Sequence, residues 1–205
     1  MQCFACFITL AIFGIIVNAG RNLSPIDGYN VVDFTWTVQP EIPGSLAFNL
    51  TGTVQDAWEH ISNTWPDYPR PKMDLAFHLK PEHNMTDGNL ICDFPEWTAA
   101  KMSAIQDGIE SLRQFPGRPG LQPGPGSCAR VSCADSSAIW WCSDHQQLFR
   151  LDNFGFIADG ANDIILNCIV DRTESQDPEV QVWTKGQIFL DDNWNVIIRG
   201  DEDDC

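Results

Sequence analysis

The residues of this 205-residue chain that could do chemistry are eight cysteines, four histidines, 28 acids and eight tryptophans. Two of the cysteines, Cys3 and Cys6, lie in an apolar leader. The other six, Cys92, Cys128, Cys133, Cys142, Cys168 and Cys205, all fall in the last 114 residues. An even set of this kind in an oxidising compartment implies a disulfide framework, whose pairing spacing alone leaves open. The competing reading of Cys128-x4-Cys133 as a zinc pair is disfavoured, because neither a C-x2-C pair nor a histidine partner accompanies it. The histidines are His60, His78, His83 and His145. They form no H-E-x-x-H pair, and no G-x-S-x-G nucleophile elbow is present. His145 beside Asp144 is the one candidate for a hydrolase base in the cysteine-rich half, against the plainer reading of an isolated loop histidine. Glycosidase chemistry needs two facing carboxylates, but among 28 acids such a pair arises by chance. Asp191-Asp192-Asn193 and Asp201-Glu202-Asp203-Asp204 carry calcium-type oxygen ligands without the alternating spacing of an EF-hand loop. No catalytic residue, metal or cofactor is assigned.

The tryptophans offer recognition rather than catalysis. Trp140 and Trp141 are adjacent in a predicted strand, so they point to opposite faces of a sheet. If helices cover one face, one of the two lies on the open face, where Trp183 and Trp194 from a second hairpin would join it. Such an aromatic platform suits a sugar ring or a protein partner. The alternative is that residues 29–65 fold back and cover that face with Trp36, Trp58 and Trp65.

Compartment follows from the N-terminus. Residues 4–17 are almost unbroken apolar, and Val17 and Ala19 supply the small residues of a signal-peptidase site. Residues 1–19 are therefore expected to be a secretory signal peptide, too short to span a membrane. The mature chain would be extracellular and monomeric, with no spanning segment. Asn49-Leu50-Thr51 and Asn84-Met85-Thr86 are N-glycosylation sequons; Asn22-Leu23-Ser24 is a third, disfavoured by Pro25. The net charge of −16 excludes partners that need a basic footprint, namely nucleic acid and anionic lipid.

Elements must position these groups. The run 29–38 reads as a strand, with a second over Ser45–Leu50. Thr53 and Asp56 make an acidic capping box for a helix over about Val54–Trp65 that buries Val54, Ala57, Trp58 and Ile61. Residues 66–90 read as a loop. A helix over about Glu96–Phe115 carries Met102, Ile105, Ile109 and Leu112 in one stripe. The Pro- and Gly-rich run 116–126 breaks it, and a hairpin follows: CARVSC, a turn at Asp135-Ser136-Ser137, and AIWWC. A further helix over about Asn153–Cys168 precedes a second hairpin that turns at Asp191-Asp192-Asn193. The two halves correspond: Ile105-Gln106-Asp107-Gly108 matches Ile157-Ala158-Asp159-Gly160. Asp107 precedes Trp140 by 33 residues and Asp159 precedes Trp194 by 35. A glycine inside a helix costs about 1 kcal/mol relative to alanine, so Gly108 and Gly160 need a reason, and close approach of the helices there supplies one. The expected fold is α+β: two helices on one face of an antiparallel sheet, a helix–hairpin unit occurring twice, stapled by disulfides. Its parts are the signal (1–19), a cysteine-free N-terminal β/α extension (20–90) and a disulfide-rich α/β sandwich (91–205).

The stretches Gly124-Pro125-Gly126-Ser127-Cys128-Ala129-Arg130-Val131-Ser132-Cys133, Ser137-Ala138-Ile139-Trp140-Trp141-Cys142-Ser143-Asp144 and Ile157-Ala158-Asp159-Gly160-Ala161 resemble the cysteine-rich small secreted proteins of filamentous ascomycete fungi, of the candidate-effector type. A more distant similarity, carried by Gly186-Gln187, Asn195-Val196 and Cys205, extends to the α/β-sandwich killer toxins of smut fungi and to necrosis-inducing effectors. The resemblance implies a secreted, non-enzymatic protein that binds an extracellular protein or glycan of a host or competitor. A small extracellular hydrolase acting on wall polymers, and a structural wall or matrix protein, are the alternatives.

Overall fold

A computed structural model describes residues 24–38, 47–68, 88–124, 126–171, 182–201 and 205. The expected signal peptide and Asn84 lie outside them. The described residues form an α+β fold with three helices and several sheets.

The first hairpin is dictated by its turn. Strands β7 (Ser127–Ala134) and β8 (Ser137–Ser143) are joined by Asp135 and Ser136, at φ 48° and 54°. Two consecutive left-handed residues make the tight turn whose twist matches antiparallel strands. In the second hairpin, β12 (Gly186–Leu190) and β13 (Trp194–Gly200) are joined by Asp191–Asn193, with Asn193 at φ 52° closing the loop. These four strands form the centre of a six-stranded sheet. Short β1 (Asn30–Val31) runs parallel beside β7 at one edge, and β4 (Asn89–Ile91) flanks β12 at the other, giving the order β1-β7-β8-β13-β12-β4. The two hairpins meet through their second strands, with Trp140 opposite Ile197 at the middle of the β8–β13 ladder.

Helices α2 (Met102–Gln114) and α3 (Gly155–Asn167) lie on one face. The two mid-helix glycines show why they sit so low. A Cβ on Gly160 would lie 2.9 Å from Val196 Cγ2, and one on Gly108 would collide with Ser132 Oγ. The close approach expected between the helices is instead one of helix to sheet: α2 rests on the first hairpin and α3 on the second.

A third helix, α1 (Val54–Thr64), joins this layer, packing on α2 and β7. Its capping box forms as expected: the Asp56 carboxylate accepts from Thr53 N at 2.8 Å, and Asp56 N donates to Thr53 Oγ1 at 3.4 Å. Val54, Ala57, Trp58 and Ile61 are buried. Gln55 covers the edge of β7 beyond β1, donating to Ser132 Oγ at 2.8 Å and accepting from Cys133 N. The segment expected as an extension thus shares the main core, with Phe34, Trp36 and Trp58 in the same apolar cluster as Ile105, Trp141 and Ile157.

Three elements differ from expectation. The run 29–38 is two strands, because β1 joins β7 while β2 (Thr35–Val38) pairs with β3 (Phe48–Thr51). Helix α2 begins at Met102, not Glu96. Ala100–Lys101 is a strand (β5) paired with Trp183–Thr184 (β11), and Lys101 N donates to Ser137 Oγ at 2.9 Å. The second hairpin starts only at Gly186, because Trp183–Thr184 leaves the main sheet for a small one with β5 and β10 (Ile169–Asp171). The Pro- and Gly-rich run yields only β6 (Gly120–Leu121), paired with β9 (Phe149–Arg150).

The cysteines pair as Cys92–Cys168, Cys128–Cys142 and Cys133–Cys205. Cys128 and Cys142 face each other across the β7–β8 ladder, Cα atoms 4.1 Å apart. Cys92–Cys168 ties the chain just after β4 to the C-terminus of α3, and Cys133–Cys205 ties β7 to the last residue. No helix among the described residues is long and apolar enough to cross a membrane.

Candidate functional site

Strand alternation sorts the sheet into two faces. Ile139, Trp141, Trp194, Val196 and Ile198 point into the helix layer. Cys128, Cys142, Ala138, Trp140 and Ile197 point the other way, into a second apolar cluster covered by Ile26, Tyr29 and Val31 from a strap over residues 24–31 and by Phe94 and Trp97 from the loop before β5. Trp140 and Trp141 thus take opposite faces, as adjacent strand residues must. An exposed platform of the four tryptophans does not form. Trp140 and Trp141 have no exposed surface and Trp194 is 5% exposed on the helix side, while half-buried Trp183 belongs to the small sheet. The cover over Trp140 comes from residues 24–31 and 94–97, whereas Trp36 and Trp58 fill the helix-side core.

Polar groups ring this second face. Arg130 and Arg199 flank Trp140, their guanidinium carbons 5.9 and 5.8 Å from its ring centroid. Asp201, 5% exposed, lies between them, 3.3 Å from Arg130 and 4.0 Å from Arg199. Buried charge is tolerated only when paired, and here one carboxylate serves both arginines. Gln187 Nε2 donates to Asn195 Oδ1 at 3.0 Å, an amide pair buried beside Ile197. At the far end, the Tyr29 hydroxyl donates to the Asp144 carboxylate. Burial first, then this bond and the nearby negative charge, push the Tyr29 phenol up to about 12. The Tyr29 ring lies over Gly126, at φ 70°, where any Cβ would be within 2.8 Å of the ring.

Between strap and loop the face opens into a recess of about 210 Å³, lined by Pro25, Ile26, Asp27, Phe94, Glu96, Trp97 and Gln187. Phe94 and Trp97 stack at 3.8 Å between centroids with planes 11° apart. Lys185 fixes the loop that carries them, its Nζ donating to the Phe94 carbonyl at 2.7 Å and the Trp97 carbonyl at 3.0 Å. The break between β11 and β12 at Lys185 is what frees this side chain to reach the loop. No motif announced the recess, since its walls come from three separate stretches of chain.

The other candidates lie elsewhere. His145 stacks on Phe149 at 4.3 Å, its Nε2 is 2.5 Å from the Asp192 carbonyl oxygen, and its neighbour Asp144 is bonded to Tyr29. Asp191, Asp192 and Asn193 form an exposed turn. No group of three or more His, Cys, Asp or Glu placed to hold a metal occurs among the described residues. Two carboxylates do approach each other on α3. Asp159, fully buried, takes a 2.6 Å ion pair from Arg113 of α2. Burial and the Asp159 charge together hold the Asp163 carboxyl above its ordinary range. Asn49 is exposed on β3 and accepts from Thr37 Oγ1 at 3.1 Å, leaving the sequon on the surface. Neither a family model, a curated protein nor a solved structure matches this chain.

Proposed function

We propose that this chain is a secreted, non-enzymatic binding protein of the effector or toxin-like type, acting outside the cell on a host or competitor target. The observation that carries the reading is the strap face: a recess with aromatic and acidic walls, its loop tied by Lys185 and built on a disulfide-stapled sheet. Preorganised concave sites of this kind lose little entropy on binding. The stapling fits an oxidising extracellular setting, and the exposed Asn49 sequon fits the same route. The arrangement of α2 over the first hairpin and α3 over the second, with the second strands of the two hairpins paired, supports a helix–hairpin unit used twice. The hydrolase reading is less well supported. His145 and the Asp159–Asp163 pair lie apart from the recess, and Asp159 is tied up by Arg113.

The test is affinity capture from extracellular fluid of a host or competitor with immobilised wild-type protein and a Phe94→Ala variant, alongside an assay of wall-polymer cleavage. The reading expects a component retained by wild type and lost by the variant, with no polymer cleaved. Cleavage by the purified protein, or capture identical for both proteins, overturns it.

A further inference from the structure

We propose that the recess binds the cationic side chain, arginine or lysine, of a protein partner; this rests on the binding reading above and names its ligand class. Charge comes first. The polar side chains lining the recess are two carboxylates and one amide, Asp27 from the strap, Glu96 from the loop and Gln187 from β12, with no Lys, Arg or His among them. The nearby cation, Lys185, directs its Nζ to the Phe94 and Trp97 carbonyls and so holds the wall. Asp27 and Glu96 are both exposed, and neither makes an ion pair with another described residue.

The aromatic wall adds to this attraction. A cation near an aromatic ring face is stabilised by the ring quadrupole, and half-buried Phe94, backed by buried Trp97, gives the recess an aromatic wall beside two carboxylates. Size decides between ligand classes. At about 210 Å³ the recess is smaller than the roughly 300–1,000 Å³ of sites that enclose a drug-sized molecule. It suits one extended side chain, with its alkyl stem against Pro25 and Ile26, better than a chain of sugar rings. The whole protein, at −16, would also steer a basic partner toward this face.

The experiment is a titration followed by the NMR signals of the Trp97 indole and the Gln187 side-chain amide. The probes are Nα-acetyl-arginine N-methylamide, Nα-acetyl-lysine N-methylamide and N-acetylglucosamine. The inference expects saturable shifts with both cations, weakened by salt. Affinity should fall about tenfold or more in an Asp27→Asn/Glu96→Gln variant, whose exposed substitutions leave the fold intact. Equal binding by that variant overturns the inference. Shifts with N-acetylglucosamine alone overturn the cation class but keep the recess as a binding site. If no probe moves either signal, the recess is no recognition site, and the binding reading loses its supporting observation as well.

Discussion

The two faces of the central sheet solve the same problem with different materials. On the helix face, burial does the work. Trp36, Phe115 and Phe154 pack within 4.6–5.4 Å of one another, and Trp141, Ile139 and Val196 complete a core spanning three helices. On the strap face the cover among the described residues is two short segments of chain, and the apolar cluster there is much smaller. Two of the three disulfides, Cys128–Cys142 and Cys133–Cys205, and the Arg130–Asp201–Arg199 group lie on this side, while Arg113–Asp159 and Cys92–Cys168 serve the helix layer. Where a chain cannot bury enough apolar surface, cross-links supply the remainder. The recess lies on that side, in the gap between the two covering segments.

This contrast can be broken by perturbing each face in turn. The largest effect is expected on the helix side. Trp141→Ala removes a fully buried indole and should cost about 3–5 kcal/mol, measured by denaturant unfolding. A loss under 1 kcal/mol would mean that the helix layer does not carry the fold. Next comes the strap-side staple. Replacing Cys128 and Cys142 together with serine opens a loop of sequence separation 14 and should cost about 3 kcal/mol on the chain-entropy account. The location of the damage sharpens the comparison. Amide exchange should quicken in residues 24–31 and 94–99 while α2 and α3 keep their protection. Uniform quickening would show that the two faces form a single cooperative unit.

Legibility in the sequence followed the same division. The hairpins, α1 with its capping box, and the burial of the α2 stripe were readable because each depends on residues close together in the chain. Gly108 and Gly160 were readable as close approaches, but their partners, Ser132 and Val196, come from β7 and β13. Only the sheet order fixes which surface they meet. The start of α2 was misplaced because residues 96–101 carry adequate helix formers, yet tertiary pairing with β11 claims Ala100 and Lys101. The strap face was the least legible. Tyr29–Asp144 spans 115 residues and Lys185–Phe94 spans 91, and no periodicity signals a contact of that range. The tryptophans misled for a related reason: hydrophobic alternation assigns a residue to a face without saying what covers that face.

The smallest expected effect tests how the strap is closed. The Tyr29 phenol, pushed up to about 12 chiefly by burial and secondarily by Asp144, should ionise well above an ordinary tyrosine in a spectrophotometric titration. Tyr29→Phe, which leaves Tyr68 as the one remaining tyrosine, separates the two phenol signals. Because burial is the larger cause, Asp144→Asn should bring the Tyr29 midpoint only part of the way back toward 10. A full return would mean that the carboxylate, not the cover, sets the shift. The sign of the linked stability change follows from proton binding. Between the unfolded value near 10 and the folded value near 12, the folded state holds the proton more tightly, so stability declines as pH rises through that window and is unaffected by this group below it. Tyr29→Phe should abolish that decline while leaving the ring over Gly126. If the alkaline loss of stability persists in Tyr29→Phe, the strap is held at its far end by something other than this hydroxyl. The thin cover would then depend on β1 and its pairing with β7.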